Sequence, residues 1–187
     1  MIIIDYTRNL SQEQKWKIKF AKRYLNPVNL ARVFILSRRL FFTRLIIVGR
    51  GVRLLGKRKF FVENWVEISD YTRIQCSDHI HIEKMSFIGP RNIIYGTVRI
   101  HKFFMSGPNV AIIAGNHGTE AENIPFIFQR SKSKKILVAS NVWIGTGSVV
   151  LDDIGPNTVL GATSLVSRPL KGNGIFVGSP VRKIKDL

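Results

Sequence analysis

From Val62 onward, bulky aliphatic residues return at every sixth position. Val62, Ile68, Ile74 and Ile80 form the first run, and a slip of eight leads to Ile88, Ile94, Ile100, Ser106 and Ile112. After an interruption come Val138, Ile144 and Val150, and a slip of ten leads to Leu160 and Val166. Thirteen of these fourteen positions are aliphatic, in a chain that is 45% hydrophobic overall. Small residues follow many of them: Gly89, Gly107, Ala139, Gly145, Gly161 and Ser167. A period of six matches neither the repeat of a helix, about 3.6 residues, nor the alternation of hairpin strands. It predicts short strands joined by turns, each sending one aliphatic side chain into a narrow core. Stacked coils would then satisfy each other's backbone groups. The small residues fall where the backbone bends or where coils approach closely. An all-β sandwich is the competing arrangement, but its strands usually recur about every 8–12 residues.

Residues 1–60 have a different texture. Lys15–Lys22 and Val28–Leu45 mix cations with Trp16, Phe20, Phe34, Phe41 and Phe42, a composition that suits amphipathic helices. The chain therefore reads as a basic, partly helical segment over 1–60 and a repeat domain over 61–187. The repeat is broken by a polar excursion at about 117–134 and ends in a short tail.

Charge sharpens this division. The 187 residues carry a formal charge of +17, and residues 1–60 hold fifteen Lys and Arg against Asp5 and Glu13. Such a bias implies an anionic partner: a membrane surface, a nucleic acid or a phosphorylated substrate. No nucleic-acid reader motif is present, so that partner is set aside. Peripheral contact with an anionic bilayer is the expectation for the first segment. Cys76 is the sole cysteine, which argues against a disulfide framework or thiolate-rich zinc finger and favours a reducing compartment. Met1–Ile4 is too short for a signal-peptide core, and no apolar run approaches the roughly 20 residues of a spanning helix. The expected location is the cytoplasm, peripherally on the inner face of the cell membrane.

Three blocks in order carry a family resemblance. Val142-Trp143-Ile144-Gly145-Thr146-Gly147-Ser148-Val149-Val150, Leu160-Gly161-Ala162-Thr163-Ser164-Leu165-Val166 and Ile175-Phe176-Val177-Gly178-Ser179-Pro180-Val181-Arg182-Lys183-Ile184 resemble blocks of the hexapeptide-repeat acyltransferases. The likeness covers about 62–187 and is strongest to bacterial sugar and polysaccharide O-acetyltransferases. It implies a left-handed parallel β-helix, a three-sided prism assembled as a homotrimer. Active sites would lie between subunits, with acetyl-CoA in the groove between two prisms. Two departures stand out. The stretch between Val150 and Leu160 is about two residues shorter than the family's, so one turn must tighten. The N-terminal helical motif of maltose acetyltransferases is not recognisable, which favours a polysaccharide acceptor or a lipid-linked glycan.

The repeat breaks after Ile112, and Ala114-Gly115-Asn116-His117-Gly118 opens the excursion. His117 matches the family's catalytic histidine. An imidazole with a pKa of about 6.5 suits the removal of a proton from a hydroxyl nucleophile. Asn116, beside it, is a candidate contact to the acceptor. Glu120, Glu122 or a backbone carbonyl would steady the imidazolium. By the same resemblance, Trp143 is expected near the thioester end of acetyl-CoA. Thr146, Gly161 and Ala162 would bind the pantetheine mostly through backbone. Ser167 and Arg168 would lie near the adenosine, and Arg182 and Lys183, with Lys185, near the phosphates. No metal is expected: His79, His81 and His101 read as exposed strand histidines without a carboxylate cluster, and Asp152-Asp153 as a solvated turn. N-acetylation of an amino sugar, serine acetylation and a non-catalytic β-helix scaffold are the alternative functions.

Overall fold

In the computed structural model, residues 10–36, 40–41, 45–56, 60–119 and 124–187 are described. The six-residue period becomes a parallel β-solenoid of about six turns. One face stacks Arg53–Gly56, the first halves of Arg73–Ile82 and Ile93–Ile100, Ala111–Asn116, Val149–Val150 and Leu165–Val166. A second stacks Leu40–Phe41, Phe60–Val62, the later halves of the two long strands and Lys135–Val138. The third runs from Ile46–Val48 through Val66–Ile68, Phe87–Ile88, Phe104–Ser106, Val142–Ile144 and Thr158–Leu160 to Gly174–Val177. Strand pairing thus reaches further toward the N-terminus than the six-step pattern. Leu40–Phe41, Ile46–Val48 and Arg53–Gly56 already belong to the stack.

All fourteen positions of the pattern are buried. Ser106 is tolerated there because its hydroxyl accepts from Gly89 N–H at 3.1 Å and from Asn92 Nδ2 at 2.6 Å. Both slips have structural causes. Between Cys76 and Ile80 the register against Ile93–Ile100 shifts, so one coil bulges at residues 77–79 and the six-step count resumes from Ile82. Past Val150 the second face shrinks to single bridges, Val138 to Ile154 and Ile154 to Leu170. The expected tightening falls there: Asp153 Oδ1 accepts from Leu137 N–H at 2.8 Å. Coils approach closely where small residues were anticipated. A Cβ on Gly145 would lie 2.5 Å from Ala162 N. Asn141, Asn157 and Asn173 turn one corner with φ of 59°, 51° and 50°, and their amides stack at 2.9 Å per step.

Two helices close the N-terminal end of the third face: α1 (Gln12–Tyr24) and α2 (Pro27–Leu36). α2 ends at Leu36, short of the helical stretch expected to Leu45, because residues 40–41 and 46–48 pair as strands. Ser11 and Gln14 form a capping box on α1. Phe20 is buried between Trp16 and Trp65, with ring centroids 5.1 and 5.4 Å away. Arg23 forks onto the buried Glu67, with Nη2 to Oε1 at 2.6 Å. Asn29 covers the exposed sheet edge: Nδ2 donates to Ile46 O at 3.1 Å and Oδ1 accepts from Val48 N–H at 2.7 Å. At the other end, Arg182–Asp186 lies antiparallel on Gly174–Val177 and covers the last coil. No helix among the described residues is long and apolar enough to cross a membrane.

Candidate active site

Ala111–Asn116 runs past its partners on the first face, and the chain then leaves the prism. It returns as Lys132–Ser133, antiparallel to the strand end, with Gly115 opposite Ser133 and Asn116 opposite Lys132. Gly118 N–H donates to Arg130 O at 3.1 Å and closes the neck. His117 sits in that neck, exposed, at the rim of a pocket of about 240 Å³. Ser77, Tyr95, Asn116 and Lys132 share the lining with it. Asn116 Oδ1 accepts from His117 N–H at 2.9 Å, so this side chain holds the histidine backbone as well as facing the pocket. Glu120 and Glu122 lie outside the described residues.

Ser77, Tyr95 and Lys132 were not singled out from the sequence. The slip of eight was the available signal for Ser77, which the bulge delivers to the pocket. Tyr95 is placed by stacking opposite Ile113, with its ring in ordinary contact range of Gly115.

A second pocket, about 380 Å³, opens at the C-terminal end. Arg168, Arg182 and Lys183 come together there, and Lys171 joins them over an apolar floor of Leu170, Phe176 and Val181. Lys183 Nζ stands 5.9 Å from the Phe176 ring centroid. Ser167 is exposed next to Arg168 but does not line the pocket. Trp143 is 49% exposed on the outer side of the third face, between Met105 and Val159. Thr146 and Ala162 are exposed at the corner that follows. Gly161 departs from expectation: its N–H donates to Phe176 O at 2.8 Å and is consumed by coil stacking. Ala162 N–H and Thr146 N–H donate to no backbone carbonyl among the described residues.

The histidines need correction. His81 Nε2 lies 3.0 Å from Glu63 Oε1, and His101 Nδ1 lies 3.0 Å from Glu83 Oε1. Carboxylates therefore do accompany them, because stacking sets side by side residues that are 18 apart in the chain. Burial pushes the Glu83 carboxyl up, but contacts from Arg99, His101 and Lys102 N–H outweigh it and hold the group below its ordinary value. Nor is Asp152 part of a solvated turn. Its half-buried carboxylate pairs with Lys134 and accepts from Asp153 N–H at 2.9 Å. Burial raises its pKa, and those two contacts lower it further than burial lifts it.

No protein-family model matches the chain. A galactoside O-acetyltransferase of Lactococcus lactis is 38% identical over 89 residues, 44% of this chain and 41% of that protein. The chain thus spans less than half of that relative. The Escherichia coli protein WbbJ, named for O-acetyl transfer in lipopolysaccharide biosynthesis, is 25% identical over 90% of this chain and 93% of its own length. A protein of Schizosaccharomyces pombe named as an acetyltransferase is 34% identical over 149 residues, covering 75% of this chain and 70% of that one. The chain belongs to the hexapeptide-repeat acyltransferases. Its fold agrees with that of AntD, an N-acyltransferase from Bacillus cereus solved with dTDP and 3-hydroxybutyryl-CoA. The TM-score is 0.71 at 21% identity, over 88% of this chain and 89% of AntD.

Proposed function

We propose that this acyltransferase moves an acetyl group from acetyl-CoA to a hydroxyl of a sugar during surface-polysaccharide synthesis, with His117 as general base. The observation that carries this reading is the position of His117, presented at the neck of the extruded loop into a pocket of polar groups. Tyr95 offers a ring against which a sugar can pack. Ser77 and Asn116 offer hydrogen-bonding groups of the kind a polyol requires. When bound, acetyl-CoA supplies an activated thioester. Arg168, Lys171, Arg182 and Lys183 fit its phosphates, and Phe176 gives its nucleoside end an apolar contact. Trp143, Thr146 and Ala162 N–H would contact the pantetheine arm along the exposed edge. His117 takes the hydroxyl proton at a ring nitrogen as the oxygen becomes a nucleophile, then returns a proton to the departing thiolate.

The relatives named for galactoside and lipopolysaccharide O-acetylation favour a sugar or lipid-linked glycan acceptor and transfer to oxygen. A homotrimer with acetyl-CoA between prisms and a peripheral place on the inner membrane face complete the proposal. The described helices support the membrane contact: Val28, Phe34 and Ile35 are 55%, 78% and 72% exposed, and Lys15, Lys19 and Lys22 stand exposed near them in the chain. The test is thiol release from acetyl-CoA across nucleotide sugars, oligosaccharides and lipid-linked glycans. His117→Ala is expected to lower kcat by about 10²–10⁴-fold with its circular dichroism and oligomeric state unchanged. Full activity in that variant removes His117 as the base. A preference for an amino sugar overturns transfer to oxygen, and absence of any acetyl-CoA binding leaves a scaffold.

A further inference from the structure

The ladder of Glu63, His81, Glu83 and His101 plays no part in the proposed acetyl transfer. It lies on the outer side of successive coils, and the donor atoms of its first three residues converge. The carboxylate oxygens of Glu63 and Glu83 and a ring nitrogen of His81 all lie within 4.8 Å of one another. Among the described residues this is the one such group of three. The carboxylates are also oriented from behind. Glu63 Oε2 accepts from Lys84 N–H at 3.1 Å, and Glu83 Oε2 accepts from Lys102 N–H at 3.2 Å. In each case the backbone of the adjacent coil holds one oxygen and turns Oε1 toward a histidine. This is the arrangement in which outer-shell hydrogen bonds fix metal ligands.

We propose that Glu63, His81 and Glu83 bind one divalent transition-metal ion of the zinc class, with water completing its shell. The chemistry of the donors selects the ion. A neutral imidazole and carboxylates suit Zn²⁺, Co²⁺ or Ni²⁺, whereas Mg²⁺ demands an octahedral oxygen shell. Zinc bonds of about 2.0–2.2 Å place tetrahedral ligands about 3.4 Å apart. The His81–Glu63 contact, at 3.0 Å, is already near that spacing. The remaining gap closes by rotation of side chains that are only half-buried. Two groups compete for Glu83 Oε1, Arg99 Nη2 and His101 Nδ1, each at 3.0 Å; their side chains are 49% and 30% exposed, so both can swing aside when the ion binds. Bound there, the ion ties two successive coils together, as a strut independent of the acetyl-transfer reading.

The full chain, stripped with EDTA, is titrated with ZnCl2 by calorimetry and with CoCl2 by visible absorption. One ion per chain is expected, with a cobalt band of four-coordinate N/O type and a rise in Tm that EDTA reverses. MgCl2 is expected to give no shift. His81→Gln and, separately, Glu63→Gln should weaken zinc binding by about tenfold or more, while His79→Gln, outside the cluster, leaves it unchanged. Affinity should fall as the pH drops through the histidine range, about 6.5. No saturable zinc binding, or binding equally tight in both the His81 and Glu63 variants, leaves an ion-pair ladder only and overturns the proposal. If His81→Gln misfolds, Glu63→Gln and the cobalt spectrum still decide it.

Discussion

Removing Arg23 isolates a buried carboxylate at the junction between α1 and the first coils. Glu67 keeps 8% of its side chain exposed, against 51% for Arg23. Beyond the bidentate guanidinium, the contacts of Glu67 are a long one from Ser69 Oγ at 3.4 Å and its own N–H to Ser86 O. Breaking a fully buried pair from one side costs about 3–5 kcal/mol, since the charge left behind has lost its water. Here half the pair reaches solvent, so Arg23→Ala should cost less, about 2–3 kcal/mol. The assay is urea unfolding followed by tryptophan fluorescence at fixed protein concentration, with Trp16 and Trp65 reporting from the junction itself. Glu67→Gln provides the second arm. With no charge to strand, the double variant should be less destabilised than the sum of the singles, with coupling of about 1–2 kcal/mol. Hydrogen exchange should show the loss first in α1 and Ile46–Val48, whose edge Asn29 covers. Strict additivity, or a single-variant cost below about 0.5 kcal/mol, would refute the view that Glu67 depends on this partner.

Gly145→Ala, whose Cβ would meet Ala162 N at 2.5 Å, should cost about 1–3 kcal/mol in denaturant unfolding, whereas Gly115→Ala, with nearest atoms at 3.5 Å, should change little. Lys171→Ala and Arg182→Ala should each raise KM for acetyl-CoA by about tenfold with kcat nearly constant, as expected when ground-state and transition-state binding are lost equally. The depressed Asp152 carboxyl contributes stability above the usual aspartate pKa of about 3.9, and this is lost as pH falls through its lower folded value. An acid-unfolding profile of Asp152→Asn should therefore lack that part of the slope while matching wild type in shape above it.

The repeat made the fold legible because a solenoid core is one-dimensional. Each inward residue contacts its counterparts one coil away, so period alone identifies Ile74, Ile94 and Ile112 as stacked neighbours. The first coils were harder to see. Leu40–Phe41 and Ile46–Val48 form strands amid basic residues, and the cover over Ile46–Val48 comes from helices packed from outside, not from its own period. Part of the N-terminal positive charge is also internal. Arg23 serves Glu67, and Arg32 Nη1 donates to Val48 O at 3.3 Å. Net charge could not separate these from the lysines left at the surface.

The site was legible at its centre and hidden around it. His117 stands where the period fails, but the residues around it arrive from other coils, at separations no linear motif records. Ser77 and Tyr95 come from 40 and 22 positions upstream, and Lys132 from the far end of the loop. The same blindness hid the carboxylates beside His81 and His101. What the chain does advertise is its irregularity. A regular coil spends its backbone on its neighbours and offers solvent little beyond a flat face. Only an insertion frees backbone and side chains to build a concavity. The bulge at 77–79 and the loop after Asn116 arise on the first face, in coils separated by the single coil that holds Tyr95. Two independent breaks converging on one pocket are hard to explain by folding needs, since a perfect repeat would bury its core more cheaply. Restoring the period at either break tests this directly. Deleting two residues of the 77–79 bulge should leave a folded solenoid that has lost acetyl transfer, and retained activity would mean the pocket is not where the chemistry occurs.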